Sequence, residues 1–337
     1  MRKKKRKMKR KILFTPYRGL GDFIHSLPLI YSLKESFLNY EITIPIVDNE
    51  QRKTSFSLKP LIENLVKFDY KRLREDLDSQ RKLLYRGKDF RDKFKIQFEE
   101  RRNFEKNVYE FYLKDEHYDL AIIPRFFNID TIKCEKQFNL YDLGEVHNLH
   151  MVDRNLKFAD ILKIPKKINF DLKIPSTIKD NKGRKISLPR DYVVFVLSAG
   201  RVTKKWTIEG YKTITKFCIQ RGYCPVVVGS ENDFEDSIKI EEAGAVNLIS
   251  EREVLIDLGN FARIAKESRA VIGSDTGLVH IADAIGSKVI GLYGPTRPSK
   301  FAPYNNKEKV VSTNHTTKRM VDIKPEEVIS KLEKILT

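Results

Sequence analysis

Four short stretches of this sequence combine residue types suited to holding an anion or accepting a proton. In the most informative, residues 272–282 (IGSDTGLVHIA), an apolar strand-like run passes through a tight turn into a helical pattern. Thr276 and Gly277 would then offer a hydroxyl and backbone N–H groups at the positive end of a helix, the natural seat of a phosphate. His280 falls one turn after Thr276 on the same helix face. Packing is the commoner role for a lone helical histidine, so both roles stay open. Residues 198–206 (SAGRVTKKW) place small residues after a strand and then three cations. This suits a diphosphate, which backbone N–H groups could approach while lysine neutralises charge, and it equally suits a solvated basic loop. Residues 229–231 (GSE) also follow a strand, and Glu231 there can accept hydrogen bonds from a ribose diol or cap a helix. At residues 19–22 (GLGD), Gly19 and Gly21 allow a tight turn close to a ligand, and Asp22 fits the ordinary role of helix N-cap. No third glycine completes a dinucleotide fingerprint, which argues against a nicotinamide-dependent oxidoreductase.

These loops need a scaffold that delivers them to one edge. Short runs rich in Ile and Val alternate with helical patterns, the form of parallel α/β units. In the first half, residues 11–15, 41–47 and 119–124 read as strands, and residues 23 to about 37 as one amphipathic helix. Residues 71–116 are highly charged and carry Phe90, Phe94 and Phe98 on a four-residue step, an apolar stripe on a packed helical insertion. In the second half, strands are expected at 192–197, 224–229, 246–249, 270–273 and 288–293, with helices between them. In parallel sheets of this kind, ligands collect at the carboxyl ends of the strands, where all four loops fall.

Composition narrows the class. The chain has 337 residues, of which 41% are hydrophobic, enough for about two domains with real cores. Half of the net charge of +18 lies in residues 2–11, where nine basic residues are interrupted only by Met8. That arm reads either as an electrostatic contact with an anionic membrane surface or as a solvated tail. No nucleic-acid-binding pattern follows it, so no nucleic-acid partner is expected. No apolar run is long enough to span a bilayer or to form a signal-peptide core. Cys134, Cys218 and Cys224 lack metal-ligand spacing and suggest buried thiols, so a cytoplasmic location is expected.

Taken together, GLGDFIHSLP (19–28), HMVDRNLKFADILKI (150–164), AGRVTKKW (199–206), SDTGLVHIADAIG (274–286) and IGLYGPTRPSKFAPY (290–304) resemble glycosyltransferase family 9, the lipopolysaccharide heptosyltransferases. The resemblance implies an α/β, GT-B fold of two Rossmann-like domains facing across a cleft, and inverting sugar transfer without metal or cofactor. The co-substrate would be a nucleotide sugar, ADP-heptose, and the acceptor a lipid-linked glycan of the lipopolysaccharide core, met at the inner face of the inner membrane. The basic arm (1–11) is set apart by its charge, and a polar Lys- and Pro-containing stretch marks the domain boundary. The chain is therefore expected to divide into an acceptor domain (12–175, with a charged helical insertion at about 71–116), a linker (176–189) and a nucleotide-sugar domain (190–337) ending in a helix. By the same resemblance, Asp22 matches the catalytic carboxylate and Lys204 the lysine on the donor phosphates. Glu231 matches the ribose-binding acid, and Asp275, Thr276, Gly277 and His280 match the donor-binding turn. Ala199-Gly200 stand where some relatives carry Thr-Thr, which leaves phosphate contacts there to the backbone and Ser198. A catalytically inactive binding protein of the same fold, associated with membrane or nucleic acid, is the alternative.

Overall fold

The computed structural model describes residues 10–16, 19–46, 58–62, 65–70, 94–114, 116–179, 183–249, 256–313 and 317–337. The arm up to residue 9, Phe90, and the side chains of Phe94 and Phe98 lie outside the described residues. The chain divides into two compact units, the first made of Met1–Gly19, Ser26–His147 and Asp153–Asn169. The second comprises Leu20–His25, Asn148–Val152 and Phe170–Thr337.

A five-stranded parallel sheet organises the first unit, in the order β3-β2-β1-β4-β5. Its strands are β1 (Arg10–Phe14), β2 (Tyr40–Ile46), β3 (Lys67–Tyr70), β4 (His117–Ile123) and β5 (Lys133–Asn139). Central β1 begins inside the basic run, and its register sets Ile12 beside both Ile42 and Leu120. The unpredicted strands β3 and β5 form the sheet edges, where half-exposed sequences such as KCEKQFN carry no apolar run to betray them. The 19-residue helix α3 (Phe94–Tyr112) contributes Val108 and Tyr109 to a core shared with Leu13, Tyr118 and Ile123.

The expected helix from residue 23 to 37 is two helices. α1 (Leu20–Ile24) stops, and α2 (Leu27–Ser36) starts after His25 and Ser26. Pro28 explains the break, because it has no N–H to give the Ile24 carbonyl and its ring would clash there. The interruption separates their membership too, with α1 in the second unit and α2 in the first. α4 (Met151–Leu162) follows the first sheet.

In the second unit a six-stranded parallel sheet runs β11-β10-β9-β6-β7-β8. These strands are β6 (Tyr192–Val196), β7 (Cys224–Val228), β8 (Val246–Asn247), β9 (Ala270–Ser274), β10 (Val289–Tyr293) and β11 (Val311–Ser312). Every residue of β6, β9 and β10 is buried, as expected of parallel strands covered on both faces. The helices are α5 (Ile208–Gln220), α6 (Phe234–Glu241), α7 (Leu258–Glu267), α8 (Gly277–Ala284), α9 (Pro298–Phe301) and the C-terminal α10 (Pro325–Leu336). Trp206 anchors this core, its Nε1 donating to the Ile323 carbonyl and its ring set edge-on to Tyr211. Among the described residues, no helix is long and apolar enough to cross a membrane.

Candidate functional site

The carboxyl end of β9 delivers Asp275 to the turn before α8. Its carboxylate is 8% exposed and divides its oxygens between two partners. Oδ2 accepts from Lys204 Nζ at 2.6 Å, and Oδ1 lies 3.1 Å from His280 Nε2. Burial alone would push this carboxyl up, but the hydrogen bonds and charge of His280 and Lys204 outweigh it and bring Asp275 down to about 2. The buried carboxylate therefore stays ionised, with Lys204 drawn beside the first turn of α8. Thr276 is the N-cap residue of α8 but makes no side-chain cap, whereas Thr207 and Asp257 cap α5 and α7 with side-chain oxygens. Thr276 and Gly277 are half-buried, next to the positive end of the helix.

A second buried carboxylate, Asp233, holds the neighbouring lysine. Lys205 Nζ lies 2.6 Å from its Oδ1, while Ser198 Oγ, Ser230 N and Ser230 Oγ all donate to Oδ2. Burial again pushes Asp233 up, and the bonds from Lys205, Ser230 and Ser198 lower it overall. Lys205 is shifted the complementary way, burial pulling it down and Asp233 raising it further. Asp233 thus ties together the ends of the loops after β6 and β7. Ser198, expected to meet a phosphate, has its hydroxyl committed to this carboxylate. Glu231 stands exposed on a short 3-10 turn (Glu231–Asp233).

Two glycines let α1 lie against α8. A Cβ on Gly21 would come within 2.7 Å of His280 Cδ2, and one on Gly277 within 2.5 Å of Leu20 Cγ, so neither position tolerates a larger residue without movement. Half-buried Asp22 is carried on this short helix. Just after it, the buried His25 ring packs between two others, 4.3 Å from His280 and 5.3 Å from His150 between centroids. His150 Nδ1 accepts from Val152 N–H, which leaves its Nε2 to donate to the Ala302 carbonyl at 2.9 Å. In the first unit, at the carboxyl end of β4, the buried Arg125 guanidinium pairs with Glu105 at 2.9 Å and donates to the Pro16 carbonyl.

A family model described as glycosyltransferase family 9 (heptosyltransferase) matches residues 142–329, more than half of the chain, and spans both carboxylate clusters. The chain belongs to glycosyltransferase family 9. Lipopolysaccharide heptosyltransferase 2 of Salmonella typhimurium is 26% identical over 154 residues, which cover 40% of this chain and 43% of that protein. The lipopolysaccharide core heptosyltransferase OpsX of Haemophilus influenzae is 26% identical over 166 residues, 48% of each. The matches to these two curated relatives thus span less than half of their lengths. Among solved structures, E. coli heptosyltransferase WaaC with ADP aligns with a TM-score of 0.67 at 15% identity, covering 96% of this chain and 99% of that one. The two parallel sheets and this likeness make the fold GT-B, within the α/β class.

For a family 9 protein, the expected donor-site residues separate into groups. Lys204, Asp275, Thr276, Gly277 and His280 come together around one turn, with Gly21 of α1 packed on them. Ser198 joins the neighbouring Asp233 cluster. Sequence reasoning passed over Asp233, although Ser230 and Asp233 form a capping box, a spacing visible in the sequence. It also passed over His25 and His150, whose contacts join segments remote in the chain and leave no local signal. Among the described residues, no group of three or more His, Cys, Asp or Glu side chains is arranged to hold a metal ion.

Proposed function

We propose that this protein transfers heptose from ADP-heptose to a lipopolysaccharide core acceptor, with inversion at the anomeric carbon and without a metal. The observation that carries the reading is the Lys204–Asp275–His280 network beside the uncapped start of α8. A cation beside the first N–H groups of a helix that lacks a side-chain cap suits a diphosphate, whose negative charge grows as it departs. Residues 190–337 would form the donor domain, with α1 packed on it, residues 12–175 would supply the acceptor domain, and residues 176–189 would be the linker between them. Glu231, exposed after β7, remains the candidate for the ribose diol.

In the proposed reaction, the Asp22 carboxylate takes the proton of an acceptor hydroxyl. The hydroxyl oxygen forms a bond to the anomeric carbon as the bond from that carbon to the diphosphate oxygen breaks. The electron pair leaves with ADP, whose charge meets Lys204 and the N–H groups at Thr276 and Gly277. A lipid-linked acceptor would bring the enzyme to the inner face of the inner membrane, where the basic arm can meet anionic headgroups.

Mass spectrometry of the product formed from ADP-heptose and heptose-deficient lipopolysaccharide tests the reading, with a gain of one heptose expected. The Asp22→Asn variant should lose about 10²–10⁴-fold in turnover, the usual worth of a general base, while binding ADP as the wild type does. Wild-type turnover in that variant would remove Asp22 from the base role. Absence of any mass gain with the wild type would overturn the donor and acceptor assignment.

A further inference from the structure

Three buried histidines meet in the second unit, and the proposed reaction uses only one of them. The His150 ring is fixed at both nitrogens, by Val152 N–H and by the Ala302 carbonyl. His280 is fixed at one nitrogen, through Nε2 on Asp275, and its buried Nδ1 has no hydrogen-bond partner among the described residues. Beyond its own Cβ, that ring therefore has a single polar tether. His25 contacts both rings and is steeply tilted to each, at 64° to His280 and 78° to His150. Edge-to-face contact is the favoured arrangement for aromatic rings and fixes orientation as well as distance.

We propose that His25 is a positioning residue of the donor turn. It braces the His280 imidazole against the anchored His150 ring, so that Nε2 stays directed at Asp275 Oδ1. Asp275 Oδ2 then holds Lys204 where the diphosphate would meet it. Gly21 of α1 also packs on the His280 ring, its missing side chain leaving room for Cδ2, so α1 and the residue just after it both contact the imidazole. Three of the six ring nitrogens already bond to protein atoms, and the three rings are not among any metal-holding group of the described residues. The inference rests on the reading of this turn as a nucleotide-diphosphate site. It adds that the segment carrying Asp22 also sets the geometry of the donor clamp.

Two substitutions in the full chain separate ring geometry from simple filling. His25→Leu keeps the site filled with an apolar side chain but removes the flat edge, whereas His25→Phe keeps a flat ring. With ADP as the probe in calorimetry, His25→Leu should bind about tenfold more weakly, since small misplacements of clamping groups cost one to two orders of magnitude. His25→Phe should bind within about threefold of wild type. The KM for the sugar donor should follow the ADP affinity, whereas simple loss of folded protein would lower kcat and leave KM and ADP affinity unchanged. A folded His25→Leu variant with wild-type ADP affinity overturns the proposal, as does a His25→Phe variant as weak as His25→Leu. Wild-type protein that fails to bind ADP would instead overturn the reading of the site itself.

Discussion

Consecutive lysines, Lys204 and Lys205, end on two different buried carboxylates, and their surroundings differ in kind. Asp233 receives Lys205, two serine hydroxyls and a backbone N–H, so four donors crowd one carboxylate. That arrangement is closed, and its effect is to knot the loops after β6 and β7. Asp275 has fewer side-chain partners, one on each oxygen, and it borders the uncapped start of α8. The same ion-pair chemistry thus knots two loops in one place and holds a cation beside a helix start in the other. What distinguishes them is the open helix end beside the pair.

The two carboxylates should therefore fail differently. Asp233→Ala should cost about 3 kcal/mol of stability in denaturant unfolding, because it removes the buried partner of Lys205, leaving only Asp236 at 3.6 Å, and unties two loops. Asp275→Asn should lower kcat/KM about 100-fold, as removal of one fixed charge partner does in other active sites, with a smaller loss of stability. Acid sharpens the comparison further. A carboxyl lowered on folding contributes stability that is fully present above its ordinary value of 3.8 and is lost as pH falls toward the folded value, about 2 for Asp275. The wild type should therefore lose about 2 kcal/mol from this group between those limits, and the stability–pH curve of Asp275→Asn should be flatter there. Smallest of all, Gly277→Ala should cost about 1 kcal/mol by pressing on Leu20, whereas Gly200→Ala, with nothing within 4 Å of the added carbon, should be neutral in thermal melts.

How far the sequence disclosed this arrangement depends on whether the signal was local. The fully buried strands β6, β9 and β10 stand within about a residue of their apolar runs, because burial on both faces writes itself into consecutive Val and Ile. Edge strands β3 and β5 escaped notice because one side of each meets solvent, and their polar residues resemble loop. Pro28 is the local mark of the break between α1 and α2, set inside an amphipathic pattern that runs across it. The residues from Asp275 to His280 are contiguous, which is why one motif could name them together, and the structure joins Asp275 to both His280 and Lys204. Asp233 was hidden by Glu231, which lies nearer the glycine but faces solvent. The bracing of His280 by His25 and His150 arises only when distant segments pack, which no spacing rule reports.

The most direct test of the difference between the lysines is calorimetric titration of ADP into wild type, Lys204→Met and Lys205→Met. A charge-assisted bond to a phosphate corresponds to about 10–100-fold in affinity, so Lys204→Met should weaken ADP binding by that factor, while Lys205→Met stays within about threefold of wild type. Undiminished binding by Lys204→Met, or equal losses in the two variants, would contradict the assignment of Lys204 as the diphosphate partner.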